Sequence, residues 1–259
     1  MATWTRRKLT RGASLCLELG VGLLENGGET SRVEESIRLA GQSLGMKVET
    51  AVLPTSISVC FGEEETITRI ARIKNRSIDL DKVARLNALS RDLDSNNVDL
   101  DDFRAQIRAV REASCLYNSS QQALATAVAS ACLTLVVGGG IGESLVAVIA
   151  GSISGLALER YGNGFPSFLS LFGVSSITTW LALAAFSLWG LSTEAIIVGS
   201  LLYQMPGLAI VSAMRDLMAG ELVAGNARLA EAVLVTLGMA TGVLASLGFA
   251  LRFGMDISL

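Results

Sequence analysis

No histidine occurs in the 259 residues, and the four cysteines, Cys16, Cys60, Cys115 and Cys132, never fall in C-x-x-C spacing. A structural zinc site would then need all four thiolates brought together. Reduced, buried cysteines in a cytoplasmic or membrane setting are the expectation. Gly-x-Ser-x-Gly and a Walker-type phosphate loop are also absent, and Gly138-Gly139-Gly140 sits in an apolar run rather than between a strand and a helix. The chain is therefore expected to be no enzyme, with no catalytic residue, no metal and no cofactor.

A surplus of positive charge is lacking too. Through Asn118 there are 17 Lys+Arg and 17 Asp+Glu; beyond it there are 4 and 7. A nucleic-acid surface needs excess cations on one face, so no nucleic-acid partner is expected. The chain is 51% hydrophobic with a mean hydropathy of +0.50, and that excess lies after Asn118. The first part reads as a soluble domain and the second as membrane. Arg6-Arg7-Lys8 before Leu15 to Leu24 has the outline of a secretory signal, but Glu18 interrupts the apolar region and no clean cleavage site follows. A cleaved signal is not expected.

Ala13 to Glu25 is apolar at spacing four but also at every odd position from Leu15 to Leu23, which leaves helix and strand open on period alone. Its length favours a helix, ended by Asn26-Gly27-Gly28. Ser31 and Glu34 stand at capping-box spacing, and Val33, Ile37, Ala40 and Leu44 line one face of a second helix. The period then switches to two, at Val48, Thr50 and Val52, and after Pro54-Thr55 at Ile57, Val59 and Phe61, which predicts a hairpin with one buried face. Glu63 to Glu65 turn the chain into a third strand over 66–73. Helical spacing returns at Val83, Leu86, Leu89 and Leu93 and, past Asn96-Asn97, at Leu100, Phe103, Ile107 and Val110. Residues 1–118 are thus predicted to form an N-terminal cytoplasmic α+β domain of order α-α-β-β-β-α-α.

Ala113 to Gly142 carries no charge, so the last helix of that domain is expected to run through Gln121-Gln122 into a bilayer. A membrane span needs about 20 apolar residues. Residues 119–259 are predicted to be an all-α bundle of about five transmembrane helices, at about 123–141, 144–158, 167–191, 195–214 and 232–251. The second is short and rich in glycine and serine: thin, tilted, or part of a broken helix. With the first domain inside, Arg160, Arg215 and Arg228 fall in cytoplasmic connections and only Arg252 outside. That predicts a multi-pass inner-membrane protein with cytoplasmic amino and extracytoplasmic carboxyl terminus. Gly151 and Gly155, like Gly238 and Gly242, lie four apart, a spacing that lets helices pack closely in lipid.

Together, Asn26-Gly27-Gly28-Glu29-Thr30-Ser31-Arg32-Val33-Glu34, the Pro54-Thr55 hairpin, Leu86-Asn87-Ala88-Leu89-Ser90 and the island from Pro206-Gly207 to Arg228 resemble the threonine/serine exporter family, in its amino-terminal unit. The resemblance covers nearly the whole chain. It implies a secondary transporter that expels small metabolites, threonine and serine in some members and dicarboxylates such as succinate in others. It also implies a partner, a small membrane subunit of the same family, and an oligomer in the lipid bilayer. The family often has alanine where Gly28 stands and tyrosine where Ser31 stands, so a contact made by that ring is absent here.

Met205 to Glu231 gathers the strong charges of the apolar half. Arg215 and Asp216, being adjacent, point about 100 degrees apart on a helix. Arg215 suits a substrate carboxylate, and Asp216 or Glu221 a coupled proton; the alternative makes Arg215 an anchor closing the fourth span. Pro206 and Gly207 predict a kink, exposing backbone to substrate or serving structure alone. Glu143 sits at membrane depth in a re-entrant turn, or in water if the turn emerges. Arg228 and Glu231 are three apart and can pair. Glu29, Thr30 and Arg32 open a helix whose first N–H groups either take an anion or are simply capped. The reading from another class is a regulatory or scaffold subunit with a metabolite-sensing soluble domain. In the exporter reading that domain is an entrance funnel or gate.

Overall fold

The computed structural model describes residues 6–62, 66–74, 76–93, 99–114 and 116–255. It divides into two compact units, one of residues 1–115 with 210–229, the other of residues 116–209 with 230–259. The turn at Glu63 to Glu65, the break at Asn96-Asn97 and Cys115 lie outside the described residues.

The first unit opens with α1 (Arg6–Glu25), followed by α2 (Thr30–Ser43), β1 (Val48–Leu53), β2 (Ser56–Phe61), β3 (Ile67–Arg72), α3 (Leu80–Asp92) and α4 (Leu100–Glu112). The ambiguous period of α1 resolves as helix: Leu15, Leu19 and Leu23 are buried one turn apart, whereas Leu17 and Val21 only flank the core. Burial pushes the Cys16 thiol on the same face up to about 12. One left-handed residue closes α1. Gly27 takes φ +92, Gly28 N–H donates to Leu23 O at 2.9 Å and Gly27 N–H to Leu24 O at 3.3 Å. That is the paired bonding of a Schellman cap.

The cap makes Glu29 the N-cap of α2, two residues earlier than the Ser31–Glu34 spacing suggested. No capping box forms there, because Ser31 lies inside the helix and Glu34 Oε1 accepts from Val52 N–H at 2.8 Å. That bond ties α2 to the sheet. The sheet is antiparallel in order β1-β2-β3, with Leu53 opposite Ser56 across the Pro54-Thr55 turn and Val52 opposite Ile57. Val52, Ile57, Val59 and Phe61 point inward against α1 and α2, and each fully buried side chain of this kind is worth ~1.5–3 kcal/mol. Glu18–Arg104 and Glu25–Arg111 ion pairs join α1 to α4.

The second unit is helical: α5 (Ser119–Val136), α6 (Ile141–Tyr161), α7 (Ser167–Trp189), α8 (Thr193–Leu202), the first turn of α9 (Gly207–Met218), and the part of α10 (Leu222–Arg252) beyond Leu229. The helix expected to continue unbroken through Gln121-Gln122 does not. α4 stops at Glu112, and Asn118 caps α5 by accepting from Gln121 N–H at 2.9 Å while Gln121 Oε1 accepts from Asn118 N–H at 3.0 Å. Asn118 and Gln121 form a reciprocal box that starts a new helix. The second expected span also lengthens. α6 is 21 residues long, holding Glu143 in its first turn and Arg160 in its last, so charges taken as span limits lie inside the helix ends.

Among the described residues, α6, α7 and α10 are long and apolar enough to cross a membrane, and α8 with α9 adds a fourth if that bent pair is one span. Five spans were expected. α5 spends its first turn on Ser119, Ser120, Gln121 and Gln122, leaving a short apolar remainder. α8 and α9 meet at 52° across Tyr203 to Pro206, the place where Pro206-Gly207 predicted a kink.

Small residues set the closest helix approaches. A Cβ on Gly151 of α6 would lie 2.8 Å from Thr126 O of α5, and one on Gly242 of α10 would lie 2.5 Å from Phe172 O of α7. Both contacts are to backbone, which cannot give way as a flexible side chain would.

Candidate functional site

Arg215, Asp216, Glu221 and Arg228 of the charged island belong to the first unit. α9 ends as α1 does: Gly220 takes φ +90, Glu221 N–H donates to Asp216 O at 2.8 Å and Gly220 N–H to Leu217 O at 3.1 Å. Glu221 O then accepts from Gly225 N–H at 2.9 Å, opening α10. A side chain on Gly225 would meet Leu217 and, at 2.9 Å, Ala213 O, so its absence lets the two arms of the α9–α10 hairpin close. Closure brings Asp216 and Arg228 face to face.

Asp216 is fully buried. Its Oδ1 accepts from the Thr30 hydroxyl at 2.7 Å, and its Oδ2 lies 3.1 Å from Arg228 Nε. The Nε–H is not aligned for a hydrogen bond across that second contact, so the attraction there is that of an ion pair. Arg228, 13% exposed, donates from its other arm to Gly28 O at 2.8 Å. Thr30 is the first residue of α2, where the aligned peptide dipoles favour an anion. The chain thus supplies its own carboxylate to the helix start that sequence reasoning offered to an anion.

The 100-degree divergence of neighbouring helical residues accounts for the rest. Arg215 points outward, its side chain 65% exposed, and donates to Glu29. Glu29, Thr30 and Gly28 therefore meet Arg215, Asp216 and Arg228 respectively. Asn26 and Gly27 hold the loop: Asn26 Nδ2 donates to Gly22 O at 2.7 Å, and Ser77 and Asp79 N–H groups donate to Glu25 O and Asn26 O. Arg32 is exposed one turn on. Glu221 lies near Glu34, whose carboxyl is raised above its ordinary value chiefly by burial, opposed by the Val52 N–H and reinforced by the Glu221 charge.

Other sequence candidates fall elsewhere. Glu143 is in the second unit, where its two oxygens accept from Gly140 N–H at 3.0 Å and Ser192 N–H at 3.1 Å, fastening the α5–α6 turn to the start of α8. Pro206 and Gly207 form the α8–α9 break, and Glu231 lies half-buried on α10 in the second unit's portion. Among the described residues no three acidic or thiol side chains converge as a metal would need.

Two features escaped the sequence reading. The Thr30–Asp216 bond joins positions 186 residues apart, with no local signal. The second unit also buries Ser130, Thr134, Ser154, Ser175, Thr178, Thr179 and Ser200. The sequence reading gave these hydroxyls no role.

Comparison with known proteins brings in the family. A family model described as "Putative threonine/serine exporter" matches residues 14–250. The chain is 24% identical over 257 residues to a probable threonine/serine exporter of Mycobacterium tuberculosis, covering 96% of this chain and 47% of that one. It is 26% identical over 259 residues to the probable succinate transporter subunit YjjP of Escherichia coli, covering 95% and 96%. An uncharacterized protein of Schizosaccharomyces pombe is 25% identical over 241 residues, covering 89% of this chain and 29% of its own length. The chain thus spans about half or less of the M. tuberculosis and S. pombe relatives. No solved structure matches it.

Proposed function

The chain belongs to the threonine/serine exporter family, and from that premise we propose that it is one subunit of a secondary exporter of small metabolites, threonine and serine or a dicarboxylate such as succinate. The observation that carries the reading is the broken pair α8–α9, bent by 52°, whose break at Tyr203 to Pro206 lies in an apolar unit that buries hydroxyl groups. Interrupted helices of this type supply backbone and helix-end dipoles to a solute at membrane depth. The E. coli relative, which matches over nearly its whole length, is named a subunit. That name favours a separate small membrane subunit of the same family as partner.

In this reading the first unit is a cytoplasmic gate, residues 1–118 supplying most of it, and residues 119–259 the membrane domain of about five helices in the inner membrane. The amino terminus is cytoplasmic and the carboxyl terminus extracytoplasmic. Asp216 is the coupling carboxylate: a proton on it cancels its attraction to Arg228 and loosens the hold on Thr30 and Gly28. Arg215 offers its planar fork to a substrate carboxylate in exchange for Glu29. Glu221 and Arg228 set the field around that exchange; within the second unit Glu143 fixes the α5–α6 turn to the start of α8, and Glu231 lies on α10.

The test is efflux of preloaded labelled threonine, serine and succinate from vesicles holding the chain with a coexpressed small family subunit, with and without a proton gradient. Gradient-dependent efflux of one of the three is the expected result. No efflux, with both proteins inserted and folded, transfers the weight to a regulatory subunit and makes ligand binding by the first unit the next measurement.

A further inference from the structure

The second unit contains a group of buried polar side chains whose hydrogen-bonding capacity the helices use only in part. On α6, Ser154 is 2% exposed, and its hydroxyl lies 3.3 Å from that of Thr178 on α7, which is fully buried. The Tyr203 hydroxyl, at the end of α8, stands beside Ser154 and Gln204, yet it makes no aligned hydrogen bond, and Gln204 Oε1 is likewise buried without a partner. Gln204 Nε2 reaches only the Ser200 carbonyl, at 3.5 Å, and the fully buried Ser200 hydroxyl is itself unpartnered. A buried polar group left unpaired costs about 1–3 kcal/mol. Three such groups within one turn of each other at the end of α8 therefore call for a compensating partner.

We propose that Ser154, Thr178, Ser200, Tyr203 and Gln204 form the solute-binding site of the second unit, and that it takes a small, net-neutral, hydrogen-bonding solute in preference to a dianion. The inference rests on the exporter reading above and names the site within it. Two observations decide the ligand class. The group holds hydroxyls, a phenol and a carboxamide but no ionised side chain. The arginines of the second unit, Arg160 and Arg252, are both exposed in the last turns of their helices. A dicarboxylate here would bring two charges into a low-dielectric interior with no cation to meet either.

A zwitterion carries its own compensation, and the break offers both complements. α8 ends at Leu202, presenting the negative end of its peptide dipoles, and α9 begins at Gly207, presenting the positive end. An ammonium and a carboxylate on one small molecule match those two ends. A hydroxyl on the same molecule would find the unpaired Tyr203 and Gln204 groups.

The experiment is equilibrium binding of labelled L-threonine, L-serine and succinate to the intact chain in lipid nanodiscs, with thermal unfolding of the same samples. Variants are Tyr203→Phe, Gln204→Leu and Ser154→Ala, with Thr241→Val as an exposed control. The expected result is saturable binding of an amino acid but not succinate, weakened tenfold or more by each site variant and unchanged by the control. Melting temperatures of Tyr203→Phe and Gln204→Leu should stay level or rise, because each removes a buried unpaired group; Ser154→Ala, which also breaks the contact with Thr178, is read by binding alone. Groups that serve packing alone would give the reverse, unchanged binding with lowered melting temperature, and that overturns the site. Binding of succinate at least as tight as of either amino acid overturns the ligand class. Absence of binding by the parent chain overturns the site; if efflux is seen nonetheless, the exporter reading stands, and if efflux is absent too, both fall.

Discussion

Thr30 and Asp216, 186 residues apart in sequence, share a 2.7 Å hydrogen bond in which neither side chain is exposed. The bond fixes the start of α2 to the end of α9, and Arg228 completes it by lying against the second carboxylate oxygen while holding Gly28 O. A motif near the amino terminus and an island near residue 220 are one structural object.

Removing one partner of that object should cost more than removing both. Asp216→Ala leaves the Arg228 guanidinium buried without its counter-charge, an expected loss of about 3–5 kcal/mol. Asp216→Ala with Arg228→Met should recover at least half of it. Thermal unfolding in detergent gives the double-mutant cycle, and additive losses would show that the two residues are not coupled.

Arg215 should behave differently. Its own end of the pair with Glu29 is 65% exposed, so Arg215→Ala is expected to change stability by about 1 kcal/mol or less. On the transport reading the same change abolishes efflux at unchanged membrane abundance. Normal efflux removes Arg215 from the substrate path.

Glu34 gives a pH signature. Its carboxyl is raised in the folded chain, first by burial. A carboxyl raised on folding binds its proton more tightly in the native state, so its contribution to stability is greatest below the ordinary carboxylate range and is lost as pH rises through the folded value. Glu34→Gln, which keeps an acceptor for Val52 N–H, should therefore gain on the parent as pH rises from acid to neutral. Melting curves across that range would show it; a constant difference between the two proteins would contradict it.

Gly242→Ala should be destabilising by about 1–3 kcal/mol, since the new methyl would press on the Phe172 carbonyl. Gly173→Ala, whose methyl would meet nothing within 4 Å, should be neutral or stabilising. Equal effects at the two glycines would mean that the α7–α10 approach is looser than the backbone contact implies.

Local chemistry was readable where neighbours along the chain dictate it. The switch from period four to period two marked the Val48 to Phe61 hairpin, and Pro206-Gly207 marked the α8–α9 break, because both depend on residues within one turn. Ser31 and Glu34 misled for a reason equally local: the Gly27-Gly28 cap sets the helix start first, and Glu34 finds a better partner in Val52 N–H, whose place depends on sheet register. The capped restart at Asn118 was missed because an uncharged run looks continuous when only hydropathy is weighed. The charged island was recognisable as unusual, but its partners were not, since nothing near Asp216 points to Thr30.

The first unit is assembled from two separate stretches of chain, 1–115 and 210–229. During synthesis, Thr30 and the Gly28 carbonyl emerge well before the residues that satisfy them. At about 5–20 residues per second, the 186 residues from Thr30 to Asp216 impose a delay of about 10–40 seconds. Most of the second unit is made in that interval. The α9–α10 hairpin is thus the piece that completes the first unit, and a chimera exchanging only residues 1–115 between relatives would inherit a lock without its key.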